Sequence, residues 1–261
     1  MYIPKSSGLA HLSLRHPIII VTVISLAIFL GLGKKPQPII TISFDDGYES
    51  TYTKALPILE RYDLPATVFV ITDDVGKEGY MKLKQLMVLQ ETGWEIGSRT
   101  APHLYLPSIH EANLHAELYL SKQTLEEWGF PANSLAMAYE GASCEGVDRK
   151  VWEYVKALYE VSRGCEPGLN ERPFPQHNLK SIVSVADTKI EEVKDWIDRC
   201  VEEKAWLILT FHQIGEDGQH NNSSEEFLEE VCKYIKDKGV ATVSSLSAEQ
   251  QPRWKTLLKS L

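Results

Sequence analysis

Cysteine is scarce in this 261-residue chain: four residues, Cys144, Cys165, Cys200 and Cys232, with no C-x-x-C pair. Thiolate zinc centres and thioredoxin-like redox sites, which use such pairs, are excluded. Positive charge is also short, with 27 Lys and Arg against 36 Asp and Glu, a net charge of −9. Contact with nucleic-acid phosphate needs clustered basic side chains, so nucleic acid is not an expected partner. The chain has no internal repeat, low-complexity tract or long linker, and its charged fraction of 24% is that of ordinary globular proteins. Solenoids, fibres and wholesale disorder are thereby excluded, and the length suffices for one large domain.

Long hydrophobic runs are absent with one exception. Residues 17–33 (PIIIVTVISLAIFLGLG) carry no charge, with Lys5, Arg15 and His16 before them and Lys34 and Lys35 after. At about 1.5 Å rise per residue the run sits at the short limit for a bilayer span. A transmembrane signal anchor behind a short basic segment, 1–16, is the expected reading, and a cleaved secretory signal is the alternative. No A-x-A site follows, and Gly31-Leu32-Gly33 is a weak substitute. A buried core helix fits less well, because the stretch has no polar face. The rest of the chain is therefore expected outside the cytoplasm, held at the cell membrane by a single span or secreted. Outside the cytoplasm Cys144 and Cys165, which flank one expected helix, have the option of a disulfide; four separate core cysteines is the alternative.

From residue 38 onward short apolar runs alternate with amphipathic stretches. Strands are expected at 39–44, 66–71, 94–97, 134–138, 158–162, 179–185, 205–211 and 240–243. Helices are expected at 50–62, 80–92, 109–128, 147–157, 189–203 and 224–238. Such alternation implies βα units and a mostly parallel sheet, an α/β fold. Seven or so units in one domain, 38–246, point to a closed or nearly closed barrel, with 247–261 as a tail.

In a βα barrel the chemistry gathers at the C-terminal ends of the strands. Four places qualify. Asp45 and Asp46 follow the first strand, and adjacent carboxylates there need a cation, an arginine or a shared proton. The plainer reading of Asp45-Asp46-Gly47 is a turn with Gly47 at positive φ. Arg99 and His103 lie in the loop after the third strand; a lone histidine in a loop is more often structural than a ligand. Ala138-Tyr139-Glu140-Gly141 follows the fourth strand. His212 ends the apolar run AWLILTF, where an imidazole needs a partner at the barrel mouth. Tyr48, Tyr105 and Tyr139 lie near this rim, where their rings offer stacking surface or simple packing.

Together the segments TISFDDGYES, LPATVFV, GWEIGSRTAPHLYL and WLILTFHQI, in this order and spacing, resemble the polysaccharide deacetylase family, the carbohydrate esterases that share the NodB homology domain. The resemblance runs from about Ile39 to Val243. It implies a distorted (β/α)7 barrel that removes N-acetyl or O-acetyl groups from sugar polymers with a divalent metal, zinc being the expected ion. It implies Asp45 as catalytic base, Asp46 and His103 as metal ligands and His212 as general acid. An acetylated polysaccharide or oligosaccharide is then the expected partner. Two positions depart from the family pattern. Arg99 stands where the first metal histidine belongs, and a guanidinium has no lone pair to give a metal. It is expected to pair with Asp45 or Asp46 instead. In the third motif Glu140 replaces a tyrosine and the proline is missing, although a backbone N–H near Gly141 is still available for an oxyanion. Asp187 has two expected roles, orienting His212 or capping the helix that begins near Lys189. A catalytically impaired glycan-binding member of the same fold is the alternative function.

Overall fold

A computed structural model describes residues 36–106, 109–137, 149–164, 166–215 and 221–244 of the chain. The segment 17–33, the tail 247–261, Glu140, Gly141, Cys144 and Cys165 lie outside the described residues. Among the described residues no helix is long and apolar enough to cross a membrane.

The strands are β1 (Ile39–Phe44), β2 (Ala66–Val70), β3 (Glu95–Ser98), β4 (Ser134–Ala136), β5 (Val161–Arg163), β6 (Ile182–Val183), β7 (Trp206–Phe211), β8 (Gln213–Ile214), β9 (Asn222–Ser223) and β10 (Ala241–Thr242). The helices are α1 (Leu56–Arg61), α2 (Leu83–Glu91), α3 (Glu111–Glu127), α4 (Arg149–Leu158), α5 (Ile190–Glu203) and α6 (Glu225–Lys238). A π-helical turn, Thr51–Ala55, runs directly into α1. The main sheet is parallel throughout, in the order β5-β4-β3-β2-β1-β7-β6, with β10 pairing the start of β1. It curls into the distorted (β/α)7 half-barrel that the family resemblance implied, more open than the closed or nearly closed barrel expected from the alternating pattern. β8 and β9 form a separate two-stranded piece.

A parallel sheet needs cover on both faces, and all six residues of β1 are buried. One face of β1, Ile40, Ile42 and Phe44, packs beneath the helices with Leu59, Ile197 and Val231. The other face looks into the curl, where Ile39 meets Phe69, Trp206 and Ile208. Each such apolar side chain removed from water contributes about 1.5–3 kcal/mol. Polar groups inside the curl satisfy one another: Trp206 Nε1 donates to Thr41 Oγ1 at 3.0 Å, and Ser43 Oγ pairs with Thr210 Oγ1 at 2.9 Å.

Some boundaries differ from the sequence pattern. The fifth strand starts at Val161 and ends on Arg163, because α4 keeps Leu158 and the N–H groups of Glu160 and Val161 both donate to Asn133 O. The expected strand 179–185 shrinks to β6, since Leu179 bridges Arg163 of β5 rather than joining β7. The second helix starts only at Leu83, because Tyr80 is drawn into an antiparallel bridge with Tyr48. Helix α6 begins where its chemistry dictates: Ser224 Oγ accepts from Phe227 N–H at 3.1 Å, and Gly239 closes it at φ +64°.

Candidate active site

Along a strand every second side chain faces the same way. On β1 the inward series Ile39, Thr41, Ser43 continues to Asp45; on β7 the series Trp206, Ile208, Thr210 continues to His212. The strand geometry persists past the last ladder residues, since Asp45 N–H donates to Phe211 O at 2.8 Å and Arg99 N–H to Val70 O at 2.9 Å. On β3 Gly97 precedes Arg99 by two, and on β5 Val161 precedes Arg163 by two. Parity alone thus aims Asp45, Arg99, Arg163 and His212 at one point at the mouth of the curl. Gly97 is a packing requirement: a Cβ there would stand 2.5 Å from Ser134 Oγ and 2.6 Å from the Phe69 ring. That same Phe69 ring lies under the Arg163 guanidinium, 5.8 Å from its centroid.

The cluster is dry. Asp45 and Arg163 are fully buried, Arg99 is 1% exposed, and His212 and Asp46 are also buried. Arg99 lies across both carboxylates, with Nη1 2.9 Å from Asp45 Oδ2 and Nε 3.2 Å from Asp46 Oδ1. Its Nη1 also donates to Met137 O. Arg163 Nη2 donates to Asp45 Oδ2, and its Nη1 donates to Ser181 Oγ at 3.1 Å. His212 Nε2 stands 4.0 Å from Asp45 Oδ2, and His103 Nε2 stands 3.5 Å from Asp46 Oδ1. Burial by itself raises the Asp45 carboxyl, but Arg163, Arg99 and His212 outweigh it and hold the group below its ordinary value. His103 is pushed down, first by burial and then by Arg99, against the opposing pull of Asp46. Two aspartates and two arginines cancel, so the pocket is close to neutral without any further ion.

The turn geometry agrees with both readings of the Asp45-Asp46-Gly47 segment. Asp46 and Gly47 adopt φ of +69° and +82°, so a tight turn presents the carboxylates. Thr100 and His103 also sit at positive φ, +68° and +59°, an uncommon conformation for such residues that bends the loop and returns His103 toward Asp46. Burial pushes the Glu117 carboxyl up, while the neighbouring Thr100, Leu104 and Ala101, in this His103 loop, oppose that rise.

Asp45, Asp46, Arg99, His103 and His212 therefore come together as the motif positions implied. Asp187 does not join them. It is exposed in the turn before α5, no side chain caps α5 at Lys189, and among the described residues His212 Nδ1 is buried without a hydrogen bond. The strand end that carried the expectation is pulled outward by the Val185–Thr188 turn. Arg163 was missed by the sequence reading, which ended the fifth strand at residue 162. The readable signal was parity: an arginine two beyond Val161 at a strand end. Glu140 and Gly141 lie outside the described residues.

A resident divalent metal fits this donor set poorly. Among the described residues no group of three or more His, Cys, Asp or Glu side chains is placed to hold one. Only Asp46 and His103 remain, and the Asp46 oxygen nearest His103 already accepts from Arg99 Nε. Tight protein zinc sites use three or four donors.

Comparison with known proteins agrees with the fold and the motifs. Residues 32–158 match the family model for polysaccharide deacetylases. YxkH of Bacillus subtilis, assigned to the polysaccharide deacetylases, is 27% identical over 157 residues, 60% of this chain and 55% of its own length. The poly-β-1,6-N-acetyl-D-glucosamine N-deacetylase of Staphylococcus aureus is 42% identical over 74 residues, 26% of each chain. The chain thus spans about half the length of the first relative and a quarter of the second. The Xyl-CE4 domain of a multidomain xylanase from the hindgut metagenome of Trinervitermes trinervoides superimposes with a TM-score of 0.58 at 19% identity, covering 82% of this chain and 91% of that one. On the motifs, the fold and these matches, the chain is similar to the polysaccharide deacetylases, whose family model matches its residues 32–158.

Proposed function

We propose that this domain recognises acetylated amino-sugar polysaccharide and is impaired in removing the acetyl groups. The observation that supports this is the Arg99 guanidinium spanning Asp45 and Asp46. A fixed organic cation supplies the charge balance that a metal supplies elsewhere, but it cannot polarise a carbonyl as a Lewis acid or activate water. Asp45, clamped by two arginines and with its affinity for a proton lowered, is a weakened general base. What the site keeps is its polar side chains: two carboxylates, His103 and His212 gathered at the mouth of the curl. The poly-N-acetylglucosamine substrate of the Staphylococcus aureus relative makes a hexosamine polymer the class to try first. The apolar segment 17–33 supports a site of action outside the cytoplasm, tethered at the membrane or secreted.

A second reading, a slow metal-dependent deacetylase, is favoured by one observation: among the described residues Asp45 Oδ1 is buried without a hydrogen bond, and His212 stands 4.0 Å from the other oxygen, so a base and an acid are both present. In that reading Asp46 and His103 hold the ion, zinc by its preference for nitrogen and oxygen donors. Acetate release from β-1,6- and β-1,4-linked N-acetylglucosamine oligomers, with and without added zinc, cobalt or manganese, separates the two. Binding without release supports the first reading; metal-stimulated release overturns it in favour of the second.

A further inference from the structure

Ser98 ends β3 one residue before Arg99, and neighbouring side chains on a strand face opposite ways. Arg99 therefore enters the curl, while Ser98 turns outward into the layer between the sheet and α3. There Ser98 Oγ meets Ser121 Oγ of α3 at 2.8 Å and receives the Tyr159 hydroxyl at 3.0 Å. Tyr159 joins α4 to β5, and its hydroxyl also lies 2.8 Å from Leu118 O of α3. Thr100 N–H donates to Ser98 Oγ at 3.1 Å. Ser98, Thr100, Ser121 and Tyr159 are all buried, so no water competes for these bonds. Burial also pushes the Tyr159 phenol well above its ordinary range, and it keeps a proton to give.

What this hydroxyl chain holds is a bend under strain. Thr100 sits at φ +68°, which a β-branched residue rarely adopts and which persists only where the surroundings impose it. The bend begins directly after Arg99. Arg99 N–H is fixed by Val70 O at 2.9 Å, and Thr72 N–H reaches Thr100 O at 3.2 Å. With Thr100 N–H held by Ser98 Oγ, the backbone is tied down on both sides of Arg99. From that anchored position the guanidinium reaches Asp45 at 2.9 Å and Asp46 at 3.2 Å. Tyr159 also stands four residues before Arg163, the other partner of Asp45 Oδ2. One phenol thus braces the strand ends that carry both arginines.

We propose that Tyr159 is a positioning residue of this site: acting through Ser98, it holds the Thr100 bend that lays Arg99 across Asp45 and Asp46. Its ring belongs to an apolar cluster with Leu114, Leu118 and Val155, a place that a phenylalanine ring fills as well. The hydroxyl is accounted for by what it bonds. The role is the same whether the domain only binds glycan or also turns it over, since both readings have Arg99 between the carboxylates.

The test uses two variants of the full chain. Tyr159→Phe keeps the ring and removes the hydroxyl, and Ser98→Ala removes the oxygen on which the chain converges. Hydrogen exchange is read by proton–nitrogen correlation NMR at two side chains. Arg99 Nε–H, which donates to Asp46, reports the site; the Trp206 indole N–H, which donates to Thr41 inside the same curl, reports the domain as a whole. In both variants exchange at Arg99 is expected to quicken by about tenfold while Trp206 keeps its protection. Unchanged protection at Arg99, or an equal loss at Arg99 and Trp206, overturns the positioning role and leaves the hydroxyls as a contribution to overall stability. Should Ser98→Ala disturb folding, as melting curves reveal, Tyr159→Phe carries the test alone.

Discussion

Replacing Arg99 by histidine tests the central reasoning about the pocket. Arg99 is 1% exposed and engages Asp45, Asp46 and Met137 O at once. Removing one partner of a buried ion pair costs about 3–5 kcal/mol. Arg163 stays on Asp45, so the lower end of that range, about 3 kcal/mol, applies here. For a domain of this size 1 kcal/mol moves the melting temperature by about 2–4 °C, so Arg99→His without metal is expected to melt about 6–12 °C lower. The new imidazole, with Asp46 and His103, completes a three-donor set of the kind zinc occupies. Zinc at about 100 times its dissociation constant then adds about 2.7 kcal/mol and recovers nearly the whole loss. The parent chain is expected to show almost no zinc-dependent shift. Thermal melts with and without zinc, and calorimetric titration of the metal, read both quantities, with affinity in the variant more than tenfold above the parent. If zinc stabilises the parent chain as strongly, or leaves the variant unmoved, Arg99 does not stand in the metal's place.

Three further outcomes are expected. Arg163→Met keeps the stem over Phe69 but withdraws the second cation from Asp45, and a loss of about 3 kcal/mol in urea unfolding is expected; a neutral result would show that Arg99 alone balances Asp45. The native Asp45 carboxyl sits below its ordinary 3.8, so its stabilisation is present in full above that value and is lost as pH falls through the lowered native pKa. The stability gap between the parent chain and Asp45→Asn should accordingly be flat from neutrality to about pH 5 and close only below about pH 4; a gap that closes near pH 6 contradicts this. Burial pushes the Cys200 thiol to about 11 and the Cys232 thiol to about 12, so neither should react with iodoacetamide at pH 8 until urea unfolds the domain. Mass spectrometry of the labelled peptides, with and without urea, reads this.

Much of the barrel is legible in the chain because its central strands are extreme. IITISF and AWLILTF are continuous apolar runs of strand length, which only a sheet covered on both faces accommodates. The weak elements were misjudged for a corresponding reason. β5 and β6, at the open edges of the curl, are three and two residues long, and their limits are set by bonds to Asn133, Leu179 and Thr210 rather than by their own pattern. The same one-residue shift at β5 hid Arg163, while Asp187 was drawn toward the site by a strand that is shorter than its apolar pattern suggests.

By itself the sequence determined that Asp45, Asp46, His103 and His212 stand at strand ends and that one expected ligand position holds an arginine. Order along the chain suffices for the strand ends, and the resemblance to the deacetylase family for the ligand position. It left open which carboxylate Arg99 meets, and the parity that puts Arg163 at a strand end does not say that it shares an Asp45 oxygen with Arg99. Those are decided by the curl of the sheet, which closes β1, β3, β5 and β7 around one point from which water is excluded. There an arginine cannot remain solvated, and it must find every carboxylate within reach. Two of the chain's 27 basic residues, Arg99 and Arg163, are buried there, neutralising a site whose motif pattern calls for a metal.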